Sequence, residues 1–276
     1  MARLLKLGVS IGFYAVWRLW RWRYRLLGRR PPATCLVLYY HAISAKERTS
    51  FARQMDILIR FARPIAADFP STLEDGVHHV AVTFDDGFQS VVANALPELT
   101  QRKIPTTLFI PTGYLGQQPQ WNRESSQPGC HETIITSQQL RTLISDVVSV
   151  GSHTVTHPAL TTLGEEEAKR ELQQSRQDLE TLLERDVRLF SFPYGAYDHK
   201  LVALSRHAGY SRVFTTLPTL PDPEDYVVGR VCVQATDWPV EFYFKLLGAY
   251  RWLPFAFVCK RKMRSWFDHC VHYRGS

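Results

Sequence analysis

From residue 34 to residue 240 the chain alternates short apolar runs with longer segments whose apolar residues recur every three or four positions. The runs "LVLYY" (36–40), "HHVAVTF" (78–84), "TTLFIPT" (106–112), "VVSVGSH" (147–153), "VRLFSF" (187–192), "SRVFTT" (211–216) and "VVGRVCV" (227–233) are too short for helices. They read as buried strands. The intervening segments 89–103, 137–145, 164–185 and 199–209 read as helices, the first in spite of Pro97. In 164–185, Ala168, Leu172, Ser175, Leu179 and Leu182/Leu183 share one face, with Thr162 expected as N-cap and three glutamates placed in the first turn, where the helix dipole favours them.

Strand–helix alternation at these lengths implies parallel strands with helical crossovers, closed as a barrel or open as a sheet. Either architecture gathers its chemistry at the carboxyl ends of the strands. Four of those ends carry unusual residues. "LVLYYHAI" runs directly into His41. "TFDDG" ends in Asp85 and Asp86, followed by a glycine that permits a turn. Because side chains alternate along a strand, only a distortion there lets both acids face one site. "GSHTVTHP" sets His153 and His157 four apart in a stretch whose β-branched residues and Pro158 favour an extended loop. "FSFPYGAYD" holds a Pro193-Tyr194-Gly195 turn able to aim a backbone N–H and an aromatic wall inward. Two histidines and a carboxylate fill three positions of a metal and leave room for water, as in catalytic zinc sites. The same donors also suit non-haem iron, so the ligand set alone does not choose the reaction.

"TFDDG", "HTVTH" and "FPYG", in that order and at these intervals, resemble the polysaccharide deacetylase family, the NodB-homology carbohydrate esterases. The resemblance runs from about Leu36 to Trp238 and includes "KIPTTLFIPTGYLG" and "HPALTTL". It implies an α/β fold of distorted or incomplete (β/α) barrel type. It also implies a hydrolase that removes N-acyl groups from an amino sugar in a glycan or lipid-linked saccharide. Carried over residue by residue, Asp85 is the expected general base, and Asp86, His153 and His157 the expected ligands of a divalent metal, zinc in most of the family. Pro193, Tyr194 and Trp238 are expected at the substrate. The family's proton donor stands in a late Leu-x-x-His motif. Here that motif occurs early, as Leu38-Tyr39-Tyr40-His41, which resembles the circularly permuted branch acting on poly-N-acetylglucosamine and makes His41 the expected acid. The Arg that usually pairs with the base is replaced in the third motif by Ser191 and Phe192. Arg230 is the residue expected to take its place. The family's last motif ends in Asp-Trp, matched by Asp237-Trp238, while its earlier acid falls at Gln234. Two competing readings follow from the same residues: an amidohydrolase of non-sugar amides, and a membrane-bound glycan-binding scaffold with a dead site.

Charge placement adds the ends to this picture. Residues 1–30 hold eight Lys/Arg and no acid, residues 31–239 hold 18 against 24, and residues 240–276 seven against two. The uncharged stretch Leu7–Trp17 is eleven residues long, against roughly 20 needed to span a bilayer. No A-x-A cleavage site follows it, so no cleavable signal peptide is read. Arginines interleaved with tryptophans suit a lipid interface, with a basic helix packed on its own domain or on RNA as the alternative. The expected organisation is a basic aromatic segment at 1–33, a catalytic domain at 34–240 and a basic aromatic extension at 241–276. The expected placement is peripheral, on the cytoplasmic face of a bacterial inner membrane. The expected partners are an N-acetylated sugar and an anionic membrane surface, with no nucleic acid and no protein partner inferred. Five cysteines without CxxC spacing argue against a disulfide framework or thiolate metal site and mildly favour a reducing compartment.

Overall fold

A computed structural model describes residues 2–121, 132–219, 221–222 and 224–256. A long first helix, α1 (Ala2–Leu26), leads into β1 (Thr34–Tyr40), α2 (Arg48–Phe61), β2 (Arg63–Pro64) and β3 (His78–Phe84). The units α3 (Leu96–Gln101), β4 (Thr106–Ile110), α4 (Ser137–Leu143), β5 (Val148–Ser152), α5 (Glu165–Leu183) and β6 (Leu189–Ser191) follow. The described chain closes with α6 (His199–His207), β7 (Arg212–Thr215), β8 (Val227–Gly229), β9 (Val231–Cys232) and α7 (Pro239–Leu246).

The strands pair in the order β8-β7-β6-β5-β4-β3-β1-β9, with β2 beside β3. Every named pair is parallel. The two edges of this sheet, β8 and β9, are neighbours in sequence, separated only by Arg230. One short stretch of chain therefore supplies both edges, and the sheet curls into a nearly closed barrel with Arg230 at the joint. The expected strand over 227–233 is thus two strands, each serving a different edge.

Alternation along β1 sorts its side chains between two cores. Leu36, Leu38 and Tyr40 join the layer packed beneath the helices, with Leu172 and Leu179 of α5. Cys35 and Val37 join a smaller interior cluster with Ala81, Phe109, Phe214 and Val228. The strands are buried on both faces, which is why they read as continuous apolar runs.

Two expected helices differ locally. The segment from Gln89 opens with a π-type turn over Val91–Ala95 before α3 begins, so Pro97 falls in the first turn, where its missing N–H breaks no helical bond. Helix α5 is preceded by Gly164 as N-cap; Thr162 instead ends a 3₁₀ turn, its hydroxyl bonded to Ala159 O. The apolar face of α5 stands as expected.

The N-terminal segment is part of the packed body. Leu7 and Ser10 are buried, Ser10 Oγ accepts from Trp252 Nε1 at 2.9 Å, and Tyr14 meets Phe244 of α7 edge-on at 5.8 Å. Arg3 donates to Glu241 at 2.6 Å. At the other end of the helix, Arg21 donates to Pro32 O at 3.0 Å, just before β1 begins. Residues 257–276, most of the expected C-terminal extension, lie outside the described residues.

Candidate active site

The register of the sheet brings the motif residues together. Tyr40 pairs with Phe84, so His41 and Asp85 leave adjacent strands at the same level, and Asp85 N donates to Tyr40 O at 3.0 Å. The chain's first strand lies between β3 and the edge strand β9. That is how an early Leu-x-x-His arrives beside the Asp-Asp pair.

Asp86 adopts φ 68° and Gly87 φ 65°. This left-handed turn is the distortion that lets two successive carboxylates serve one site. The positive φ of Gly87 favours glycine there, and a Cβ would also have to displace the Ile110 Cδ1 methyl, 2.5 Å away. Thr154 (φ 70°) and His157 (φ 59°) also occupy the left-handed region, which folds the His153–His157 stretch into a tight loop. The carboxylate of Glu171 on α5 ties that loop down, accepting from Val155 N (2.7 Å), Thr156 N (3.0 Å) and Thr156 Oγ1 (2.7 Å).

Asp86, His153 and His157 are all buried and offer ligand atoms within 4.8 Å of one another. Asp86 Oδ1 stands 3.6 Å from His153 Nε2 and 3.3 Å from His157 Nε2, yet has no hydrogen-bond partner among the described residues. His153 Nδ1 lies 2.7 Å from Ser191 O. A carbonyl can only accept, so Nδ1 carries the proton and Nε2 presents its lone pair toward Asp86. Burial pushes the His153 pKa down to about 4, against the pull of Asp85, so the ring is neutral at physiological pH. For Asp86, burial pushes upward, but His157, His41 and His153 outweigh it and hold the carboxyl well below its usual range. An orphaned anionic oxygen facing the Nε2 lone pair of His153 and the Nε2 of His157 fits a divalent cation bound by O, N and N.

Asp85 is treated differently by its surroundings. Arg230, fully buried, grips both its oxygens, Nη1 to Oδ1 at 2.8 Å and Nη2 to Oδ2 at 2.7 Å. The guanidinium is itself fixed by Ser191 Oγ (2.7 Å), Thr83 Oγ1 (3.1 Å) and Thr215 O (3.3 Å), beneath the rings of Tyr39, Phe109 and Phe214. Burial raises the Asp85 pKa, while Arg230, His153 and His41 lower it by more, leaving it below the ordinary carboxylate range.

His41 is exposed at the strand ends, its ring edge-on to Tyr39 at 5.6 Å. Tyr194 has φ 59° and its half-exposed ring meets His157 edge-on at 4.9 Å. In this turn Gly195 N and Ala196 N are bonded to Phe192 O and Pro193 O, whereas the Tyr194 N–H has no such bond among the described residues. Trp238 is 43% exposed and lies apart from this cluster in its contacts, stacked under Arg3 at 4.4 Å. Asp237 is spent on Lys245 (2.7 Å) and Arg3 (3.6 Å) rather than on His41.

Residues 73–213 match the family model for polysaccharide deacetylases. The chain belongs to the polysaccharide deacetylase family. Among solved members of similar shape, IcaB from Ammonifex degensii is 26% identical and superposes over 80% of this chain and 98% of its own, with a TM-score of 0.67. A Streptococcus pyogenes deacetylase, PplD, solved with acetate, shares the fold at 18% identity over 79% of this chain and 99% of its own (TM-score 0.64). A chitooligosaccharide deacetylase of Sinorhizobium fredii is 26% identical over 153 residues, 55% of this chain. The chain covers 45% to 61% of the length of the curated relatives it matches. These family likenesses agree with the motifs that carried the initial resemblance, and the barrel agrees with the expected fold.

Three functional side chains carried no sequence signal strong enough to be singled out. Trp121 stacks on His157, the ring that Tyr194 meets edge-on, with centroids 4.2 Å apart and planes 19° from parallel. Thr83, inside an apolar strand, and Glu171, inside an amphipathic helix, act through contacts 147 and 15 or 16 residues away. No local pattern marks them.

Proposed function

We propose that this protein is a metal-dependent deacetylase that removes N-acyl groups, acetyl in the first instance, from an amino sugar. The observation that carries this reading is the unequal treatment of two adjacent aspartates: Asp86 faces the Nε2 atoms of two histidines with no hydrogen-bond partner for its Oδ1 among the described residues, while Asp85 is gripped by Arg230. Asp86, His153 and His157 would hold a divalent metal, zinc as in most of the family, which would supply Lewis acidity toward water and the acetamide carbonyl. Asp85, kept ionised and oriented by Arg230, takes the proton of the attacking water. The Tyr194 N–H, Pro193 and Trp121 shape the side on which the acyl oxygen gathers charge. His41 returns a proton to the amine as the carbon–nitrogen bond breaks. Trp238 extends the sugar surface outward from the barrel mouth. The scaffold reading has less in its favour, because the full set of ionisable groups is present and mutually oriented. The chain itself, with its basic aromatic first helix, works at an anionic membrane surface on this reading.

The test is acetate release from an N-acetylhexosamine oligomer. Release should stop with a chelator and return with zinc. His41→Ala should slow amide hydrolysis by roughly 10²–10⁴-fold but spare an activated ester, whose leaving group needs no proton. Metal-replete, folded enzyme that releases no acetate from free or lipid-linked sugars would sink the reading.

A further inference from the structure

The face of α1 turned away from the body is largely apolar, interrupted by Arg23 near its C-terminal end. Steps of three and four residues lead from Leu4 through Gly8, Gly12, Ala15, Leu19 and Trp22 to Leu26, all exposed, with Leu5 and Val16 beside them. Leu5 is 70% exposed, Val16 69%, Leu19 70% and Leu26 67%. An amphipathic helix normally turns such a stripe inward. Here the inner face is already taken by α7 and Trp252, so the stripe is a second apolar face. Soluble monomers rarely leave a continuous patch of this kind uncovered.

Charge identifies what covers it. The first 30 residues carry eight cations and no acid. Arg18, Arg21 and Arg23 lie over the rings of Tyr14, Trp17 and Trp20, at 6.0, 4.9 and 4.1 Å, which places guanidinium and indole groups along the same helix. A second copy docking here would set cations against cations, with no acid in the helix to answer them. An anionic lipid surface would neutralise them and bury the stripe. No helix among the described residues is long and apolar enough to cross a membrane. The fit is to a helix lying in the interface.

The direction of α1 connects this face to the chemistry. Its first residues reach the strand-end face of the barrel, where Arg3 covers Trp238 and pairs with Glu241, and its last turns lie beside the start of β1. The outward face of α1 therefore begins on the strand-end side of the barrel, on the helix turn that carries Arg3. We infer that the outward face of α1 seats on an anionic bilayer and that the substrate is a saccharide anchored in that same bilayer, presented to the strand-end face of the barrel. This rests on the deacetylase reading for the reaction itself.

The full chain should be given one N-acetylhexosamine disaccharide in two forms, free in solution and on a diacyl anchor in vesicles containing phosphatidylglycerol. The anchored form should be turned over at least tenfold more efficiently, with the advantage lost in phosphatidylcholine vesicles or at high salt. The combined variant Val16→Glu, Leu19→Glu and Leu26→Glu, altered only at exposed positions, should lose vesicle binding and the advantage while keeping turnover of the free sugar. Equal efficiency on both forms would overturn the anchored substrate and leave the deacetylase reading intact. A dimer abolished by the triple variant, with no vesicle binding by the parent chain, would overturn the lipid surface. Vesicle binding without turnover of either form would instead sink the deacetylase reading, and the anchored substrate with it.

Discussion

Arg230 illustrates how one side chain can serve two masters at the scale of a residue. It occupies the joint between the two barrel edges and holds Asp85 by both oxygens. A buried ion pair is a weak source of stability in itself, but losing one partner strands the other charge at a cost of about 3–5 kcal/mol. Its value to function lies in the ionisation of Asp85. With Arg230→Gln the lowering influence goes and burial is left to push the Asp85 pKa upward. The acid limb of kcat/KM should therefore move to higher pH, by about 1 unit or more, while Arg230→Lys should move it less. The same sign governs stability. A carboxyl whose folded pKa is depressed contributes fully above its unfolded pKa and loses that contribution as pH falls through the folded value. An unshifted acid limb in folded Arg230→Gln would mean that Asp85 is not the titrating base. Sequence could nominate Arg230 only because the usual partner position held Ser191; the structure shows Ser191 still taking part, as an acceptor for the same guanidinium.

At the scale of elements, the strand-end loops are where backbone strain is stored. Two residues of the His153–His157 loop other than glycine sit at positive φ, and such conformations persist only when their surroundings hold them. Glu171 supplies three of those holds from the middle of α5. Glu171→Ala should leave the helix, whose buried face is Ala168, Leu172, Ser175 and Leu179, but free the loop. Metal affinity should fall by roughly 10–100-fold, as for other groups that orient a ligand, and the Val155 and Thr156 amides should exchange faster even without metal. Unchanged affinity with only a lowered Tm would reduce Glu171 to a structural brace. The helix itself was legible from its period, since its apolar spacing is a local property. Its cap was not: Thr162 and Gly164 both precede the glutamates, and the choice depends on a 3₁₀ turn set by packing at Leu160. Trp121 was illegible for a related reason, because its meaning comes from a ring 36 residues away in sequence.

At the scale of the molecule, the parallel barrel was readable from alternation, and the site from what stood at the strand ends. The closure was not. That β8 and β9 are opposite edges joined through Arg230 depends on pairings with β7 and β1, which no run of seven residues encodes. The first helix was readable as basic and aromatic, yet its attachment to α7 and its direction toward Trp238 are tertiary facts. Together these place Asp85, Asp86, His153, His157 and His41 at the strand ends of one barrel. The division of labour between Asp85 and Asp86 is the centre of the account, and metal content measured beside turnover tests it most directly. Asp85→Asn should keep about one metal per chain while turnover falls by roughly 10²-fold or more, and His153→Ala should lose metal and turnover together. Asp85→Asn that empties the site, beside Asp86→Asn that stays loaded, would contradict it.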